Sequence, residues 1–144
     1  MTYPNCLPIR ISEIFICLKT LRLIHRLSKK LNNDLNSKIH KAVVTEADLD
    51  YVGSITIDEE LLDKVDLFPG EKVLVASNTS GARLETYVIV GKRHSGIICM
   101  NGAAAHLIKK GEEIIIMGFK LSEKPIKPKN ILVDKKNCFV KFMD

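Results

Sequence analysis

From Ser37 onward, polar and apolar residues alternate in short runs, the period of strands with one buried face. Ser37-Lys38-Ile39-His40-Lys41-Ala42-Val43-Val44-Thr45 predicts the first such strand. Glu46–Asp50 reads as a short connecting turn, and Tyr51–Ile57 resumes the β pattern. Asp58 is then placed to cap a helix over Glu59–Asp66, with Glu59 and Glu60 in the first turn where the helix dipole favours negative charge. Leu61, Leu62 and Val65 give that helix an apolar stripe, and Pro69-Gly70 closes the connection. Strands follow over Lys72–Ala76, Arg83–Val90 and Ile97–Met100, the first two joined by the hairpin signal Asn78-Thr79-Ser80-Gly81. Asn101 is the expected cap of a short helix running to Ile108 and closing at Gly111. Glu113–Gly118 predicts an apolar strand, Lys120–Lys129 a Pro- and Lys-containing loop, and Ile131–Val133 with Cys138–Phe142 a closing hairpin. Many short strands at even spacing with two short helices predict a mainly β chain, a compact barrel.

Residues 1–33 have a different texture. Leu7, Ile11, Phe15 and Leu18 share one helical face, as do Ile14, Leu18, Leu21 and His25, with basic residues between them. Two readings stand: a cationic amphipathic helix touching a membrane surface or a partner, or a frayed appendage translated from an upstream start codon. Charge sharpens the division. Residues 1–33 hold six basic residues against Glu13 alone, whereas 34–144 hold 16 basic and 16 acidic residues. The net charge of +5 thus belongs to the N-terminal extension, and the 34–144 domain has no electrostatic bias toward nucleic acid. No apolar run approaches the roughly 20 residues of a membrane span, so stable membrane insertion is not expected. Lys19 and Arg22 break any signal-peptide core. Cys6, Cys17, Cys99 and Cys138 are scattered without a CxxC pair, which argues against zinc or a disulfide framework and fits a reducing cytoplasm.

Four places carry candidate chemistry. At Gly53-Ser54 a glycine, free to adopt a strained turn, precedes a hydroxyl able to reach the carbonyl before it; taken alone the pair is also an ordinary turn. Arg83, Thr86 and Tyr87 share one predicted strand: Arg83 can hold a carboxylate through two parallel hydrogen bonds, and Tyr87 can give or take a proton. Two-residue alternation sends Arg83 and Tyr87 to one face and Thr86 to the other. At Asn101-Gly102-Ala103-Ala104, a cap followed by small residues leaves backbone N–H groups open to an anion, or simply packs a tight turn. Lys38 and His40 share a strand face, as a charged contact or as ordinary surface and structure. His94 and His106 lack metal-ligand spacing, so no metal is expected, and no dinucleotide fingerprint, Walker motif or nucleophile elbow is present.

Taken together, Tyr51-x-Gly53-Ser54, Arg83-x-x-Thr86-Tyr87 and Asn101-Gly102-Ala103-Ala104-Ala105-His106 in this order and spacing resemble the pyruvoyl-dependent aspartate 1-decarboxylases. The resemblance covers about residues 35–118. It implies a double-psi β-barrel, a homotetramer with active sites between neighbouring subunits, and a precursor that cleaves itself between Gly53 and Ser54 into β and α chains. Ser54 would become the pyruvoyl group that forms a Schiff base with L-aspartate, giving β-alanine and CO₂ for pantothenate synthesis. It further implies that Arg83 and Lys38 contact substrate carboxylates, that Tyr87 is the proton donor, and that Thr86, Gly102, Ala103 and Ala104 position substrate. Asn101, His40 and Tyr51 would shape the site, with Thr86 and Asn101 also polarising the scissile bond. A maturation partner for the cleavage stays open.

Two stretches depart from the family pattern. Residues 1–30 have no counterpart, and Lys120–Asn130 is shorter and richer in Lys and Pro than the acidic helix usual there. The competing reading, from another class, is a non-enzymatic DNA-binding barrel with residues 1–33 as a basic arm. It accounts for the charge division but not for Arg83, Tyr87 and Asn101 accompanying Gly53-Ser54. A decarboxylase scaffold that has stopped processing is disfavoured because no motif residue is missing.

Overall fold

In the computed structural model, which describes residues 30–51 and 53–144, the first strand is longer than its alternation suggests. β1 spans Asn32–Val43 and pairs antiparallel with β7 (Glu113–Ser122). The register slips between Ile39 and Ala42, where Lys41 takes φ 64°. This bulge shifts the phase of the strand, so that Ile39, Ala42 and Val44 all enter the core. Because β1 begins early, β7 continues through Lys120–Ser122 to pair with Asn32–Asp34, residues that apolar patterning assigns to a loop. The amphipathic helix expected within residues 1–33 falls almost entirely outside the described residues.

Glu46–Asp48, read from sequence as a turn, is a strand, β2. Its three residues are too few to show a period, and only parallel pairing with β6 (Ile98–Asn101) makes them extended. β3 covers Ser54–Asp58, β4 Lys72–Ser77, β5 Arg83–Gly91, β8 Lys129–Val133 and β9 Phe139–Met143. The sheet order is β2-β6-β3-β5-β4-β7-β1-β8-β9, so the described residues are mainly β with two short helices. Ile55 and Ile57 of β3 face Met100 and Ile98 of β6, and all four are fully buried. Each such side chain contributes about 2–3 kcal/mol on removal from water.

Helix α1 (Glu59–Val65) follows the sequence pattern closely, burying Leu61, Leu62 and Val65 and ending on Asp66 in the left-handed conformation at φ 53°. Its cap does more than start a helix. Asp58, 2% exposed, accepts N–H bonds from Glu60 (2.9 Å), His94 (3.0 Å) and Gly96 (2.7 Å), tying α1 to the loop that leads into β6. Asp58→Ala leaves three donors without this acceptor and is expected to cost about 3 kcal/mol, read as a lower urea midpoint. A loss below about 0.5 kcal/mol would show that water replaces the carboxylate.

Asn137 makes the equivalent tie at the other end. It donates to Val43 O (2.8 Å) and Gly96 O (2.7 Å) and accepts from Val43 N–H (2.7 Å). Among the described residues no helix is long and apolar enough to cross a membrane.

Candidate active site

The antiparallel register of β3 and β6 sets Ser54 opposite Asn101 and Thr56 opposite Cys99. Since Ile55, Ile57, Ile98 and Met100 enter the core, two-residue alternation puts Ser54, Thr56, Cys99 and Asn101 together on the opposite face. There the Asn101 amide is hydrogen-bonded at both ends. Its Nδ2 donates to Ser54 Oγ (2.9 Å) and Thr56 Oγ1 (2.9 Å), and its Oδ1 accepts from Cys99 Sγ (3.1 Å). Ser54 is 2% and Asn101 3% exposed, so these bonds form away from water and are costly to leave unmade. Asn101 is therefore a strand residue. The helix it was expected to cap starts three residues later as α2 (Ala104–Leu107), with Ala103 at the cap position and no side-chain cap bond.

The chain ahead of Ser54 is bent. Gly53 has φ 76° and donates its N–H to Tyr51 O at 2.7 Å, and Ser54 itself has φ 114°, a region that L-residues with a Cβ rarely occupy. Such a backbone costs about 1–3 kcal/mol and persists only where its surroundings hold it. Gly102 is one of the holders. A Cβ there would lie 2.6 Å from both Gly53 N and Tyr51 O, and its φ of +58° disfavours any side chain. Gly102 N–H is spent on Asp48 O (2.6 Å), so this glycine is a backing for the bend and not an open anion donor.

A cleft of about 410 Å³ opens beside Ser54, lined among others by Thr86, Tyr87, Asn101, Ala103 and Ala104. Tyr87 reaches it by register. β5 pairs with β4 up to Tyr87 and with β3 from Val88 opposite Ile55, which puts Tyr87 level with the start of β3. As alternation requires, Arg83, Glu85 and Tyr87 are exposed while Leu84 and Thr86 are half-buried. Among the described residues, Arg83, Lys38, His40, Tyr51 and Gly102 do not line this cleft. Lys38 and His40 lie on β1, separated from β3 in the sheet by β5, β4 and β7.

A family model described as aspartate decarboxylase matches residues 31–140. The chain belongs to the aspartate decarboxylase family. It is 55% identical over 107 residues to "Aspartate 1-decarboxylase" of Neisseria meningitidis serogroup C, covering 72% of this chain and 84% of that protein. It is 58% identical over 87 residues to the protein of the same name from Bacillus subtilis, covering 60% of this chain and 68% of that one. A third relative with this name, from Desulfitobacterium hafniense, is 54% identical over 111 residues, 74% of this chain and 87% of its own. The match takes in most of the β body, including the Lys- and Pro-rich stretch after Gly118, and leaves residues 1–30 outside. A DNA-binding barrel thus finds no support.

Two polar residues at this candidate site of the aspartate decarboxylase escape sequence reading. Thr56 and Cys99 sit inside apolar runs and reveal themselves only when β3 and β6 are aligned.

His40 is held neutral. Burial lowers its pKa below the ordinary 6.5, the charges of Lys38 and Lys41 lower it further, and Glu113 opposes them. Its Nδ1 is buried without a hydrogen-bond partner. The unfolded chain therefore takes up this proton first, so the fold keeps its full stability above 6.5 and loses it as pH falls toward the lowered value. His40→Gln should flatten that decline, read as urea midpoints between about pH 7.5 and about 5.5. An unchanged slope would show that His40 does not set the decline, since carboxylates such as Glu60 and Glu112, which hydrogen bonds hold below their usual range, exchange their protons below this window.

Proposed function

We propose that this chain cleaves itself between Gly53 and Ser54 and, with the pyruvoyl group so formed, converts L-aspartate to β-alanine and CO₂. The observation that carries the reading is the buried Ser54 hydroxyl, held by Asn101 on a left-handed bend at the edge of the cleft. Ser54 Oγ adds to the Gly53 carbonyl, its proton passes to the Ser54 nitrogen, and the C–N bond breaks to leave an ester. Loss of the Ser54 α-proton then expels the Gly53 carboxylate, and water replaces the nitrogen of the resulting dehydroalanine, which leaves as ammonia. The 34–144 domain so becomes a β chain ending at Gly53 and an α chain beginning with the group made from Ser54.

The residues present fit that group: Ser54 faces a cleft of small and hydroxyl-bearing side chains with room for an amino acid. When formed, a pyruvoyl ketone supplies an electrophile for the substrate amine and a sink for the electron pair left by CO₂. Tyr87 holds the proton that the decarboxylated carbon receives. Thr86 and the backbone at Ala103–Ala104 position substrate, and Arg83 and Lys38 bind its carboxylates. The cleft of one chain lacks Lys38, His40 and Arg83, and this supports a homotetramer in which a neighbouring subunit completes the site. The free thiols Cys99 and Cys138 fit a cytoplasmic setting. Residues 1–33 stand as an extension outside this chemistry, and a maturation partner sets the speed of cleavage if the isolated chain is slow.

The test is intact mass spectrometry of purified, aged protein with and without a carbonyl-reactive hydrazine. Two chains divided between Gly53 and Ser54, with the hydrazine on the α chain, are expected. A single unreactive chain, even after incubation with cell extract, would overturn the reading.

A further inference from the structure

The amide of Asn101 can lie in either of two orientations that differ only in which atom faces Ser54. In the one observed, Nδ2 donates to Ser54 Oγ and Thr56 Oγ1. The Ser54 oxygen then accepts, and its own proton stays free to leave as the oxygen attacks. In the reversed orientation Oδ1 would face both hydroxyls, and each could donate to it, so the Ser54 proton would be tied down. The two hydroxyls do not distinguish these states, because a hydroxyl both donates and accepts. The third neighbour does. Cys99 Sγ lies 3.1 Å from Oδ1, is 5% exposed, and as a thiol is a donor but a poor acceptor. Burial pushes its pKa up, the charges of Glu46 and Asp48 add to this and a backbone hydrogen bond from Asp48 opposes it, so the thiol form is favoured.

We propose that Cys99 is a positioning residue for self-cleavage, its S–H fixing the orientation of the Asn101 amide that holds Ser54 Oγ as an acceptor. The inference rests on the self-cleavage reading above and deepens it. Among the described residues, the other hydroxyl facing the amide, that of Thr56 on β3, does not perform the task, since it is satisfied in either orientation.

Cleavage is followed by intact mass from the freshly made precursor in the parent, C99A, C99S, N101A and C99A/N101A chains. C99A is expected to cleave roughly threefold to tenfold slower, the worth of one buried hydrogen bond. C99S, which restores a donor, should return to within about twofold of the parent. In the N101A background, removing Cys99 should slow nothing further, because the thiol acts only through the amide. The Raman S–H stretch of Cys99, taken as the difference between S54A and S54A/C99A precursors, should lie at the frequency of a hydrogen-bonded thiol and move when Asn101 is removed. C99A cleaving at the parental rate, C99S failing to rescue, or additive slowing in the double variant would each overturn the proposal while leaving self-cleavage standing. If N101A does not cleave at all, the Raman band decides, and a band indifferent to Asn101 overturns it. A parent chain that never cleaves defeats both readings together.

Discussion

Replacing Ser54 with alanine should leave one uncleaved chain of 144 residues, no hydrazine adduct and no β-alanine formed from aspartate. The argument is chemical before it is structural. Without Oγ no atom is placed to attack the Gly53 carbonyl, and without cleavage no carbonyl group arises at the head of the α chain. The fold should survive. Alanine keeps Cβ and removes one acceptor from Asn101 Nδ2, which still has Thr56 Oγ1 at 2.9 Å, so the stability loss should stay near 1 kcal/mol. A near-parental urea midpoint with total loss of both reactions therefore separates lost chemistry from lost structure. Two chains appearing from the Ser54→Ala protein would show that something other than this hydroxyl cuts the bond.

Gly102→Ala should be nearly as damaging for a different reason. The added methyl would sit 2.6 Å from Gly53 N and Tyr51 O and 2.9 Å from Gly53 Cα, all backbone atoms that cannot swing aside as a side chain can. Either the bend before Ser54 moves or β6 does, and the φ of +58° adds strain of about 1–2 kcal/mol. A displacement of order 1 Å at the reacting atoms costs about a hundredfold in rate, so cleavage should slow by at least that, with a stability loss of about 3 kcal/mol. Precursor accumulation on a denaturing gel measures the first and the urea midpoint the second. Parental cleavage by Gly102→Ala would mean that the close approach of Gly102 to the scissile segment plays no part in the reaction. Glycine at 102 reads in sequence as part of a turn that opens N–H groups to an anion or packs tightly; the structure uses its missing Cβ to let a strained neighbour come close.

Local patterning carries far along this chain. Asp58 as cap, the apolar stripe of Leu61, Leu62 and Val65, the split of Arg83 and Tyr87 from Thr86, and the paired signals at Gly53-Ser54 and Asn101-Gly102 follow from two periods and the preferences of a few residues. The family too is legible there, because motif order and spacing survive in one dimension. What one dimension could not supply was pairing. β2 is a strand only because β6 lies beside it, β7 runs to Ser122 only because β1 starts at Asn32, and Lys41 leaves the pattern to make a bulge. Asn101 looks like a helix cap because its type favours caps, yet the ladder with Ser54 and Thr56 outweighs that preference. Cys99 and Thr56 join the site for the same reason: strand register, a contact between residues more than 40 positions apart, chooses which side chains meet.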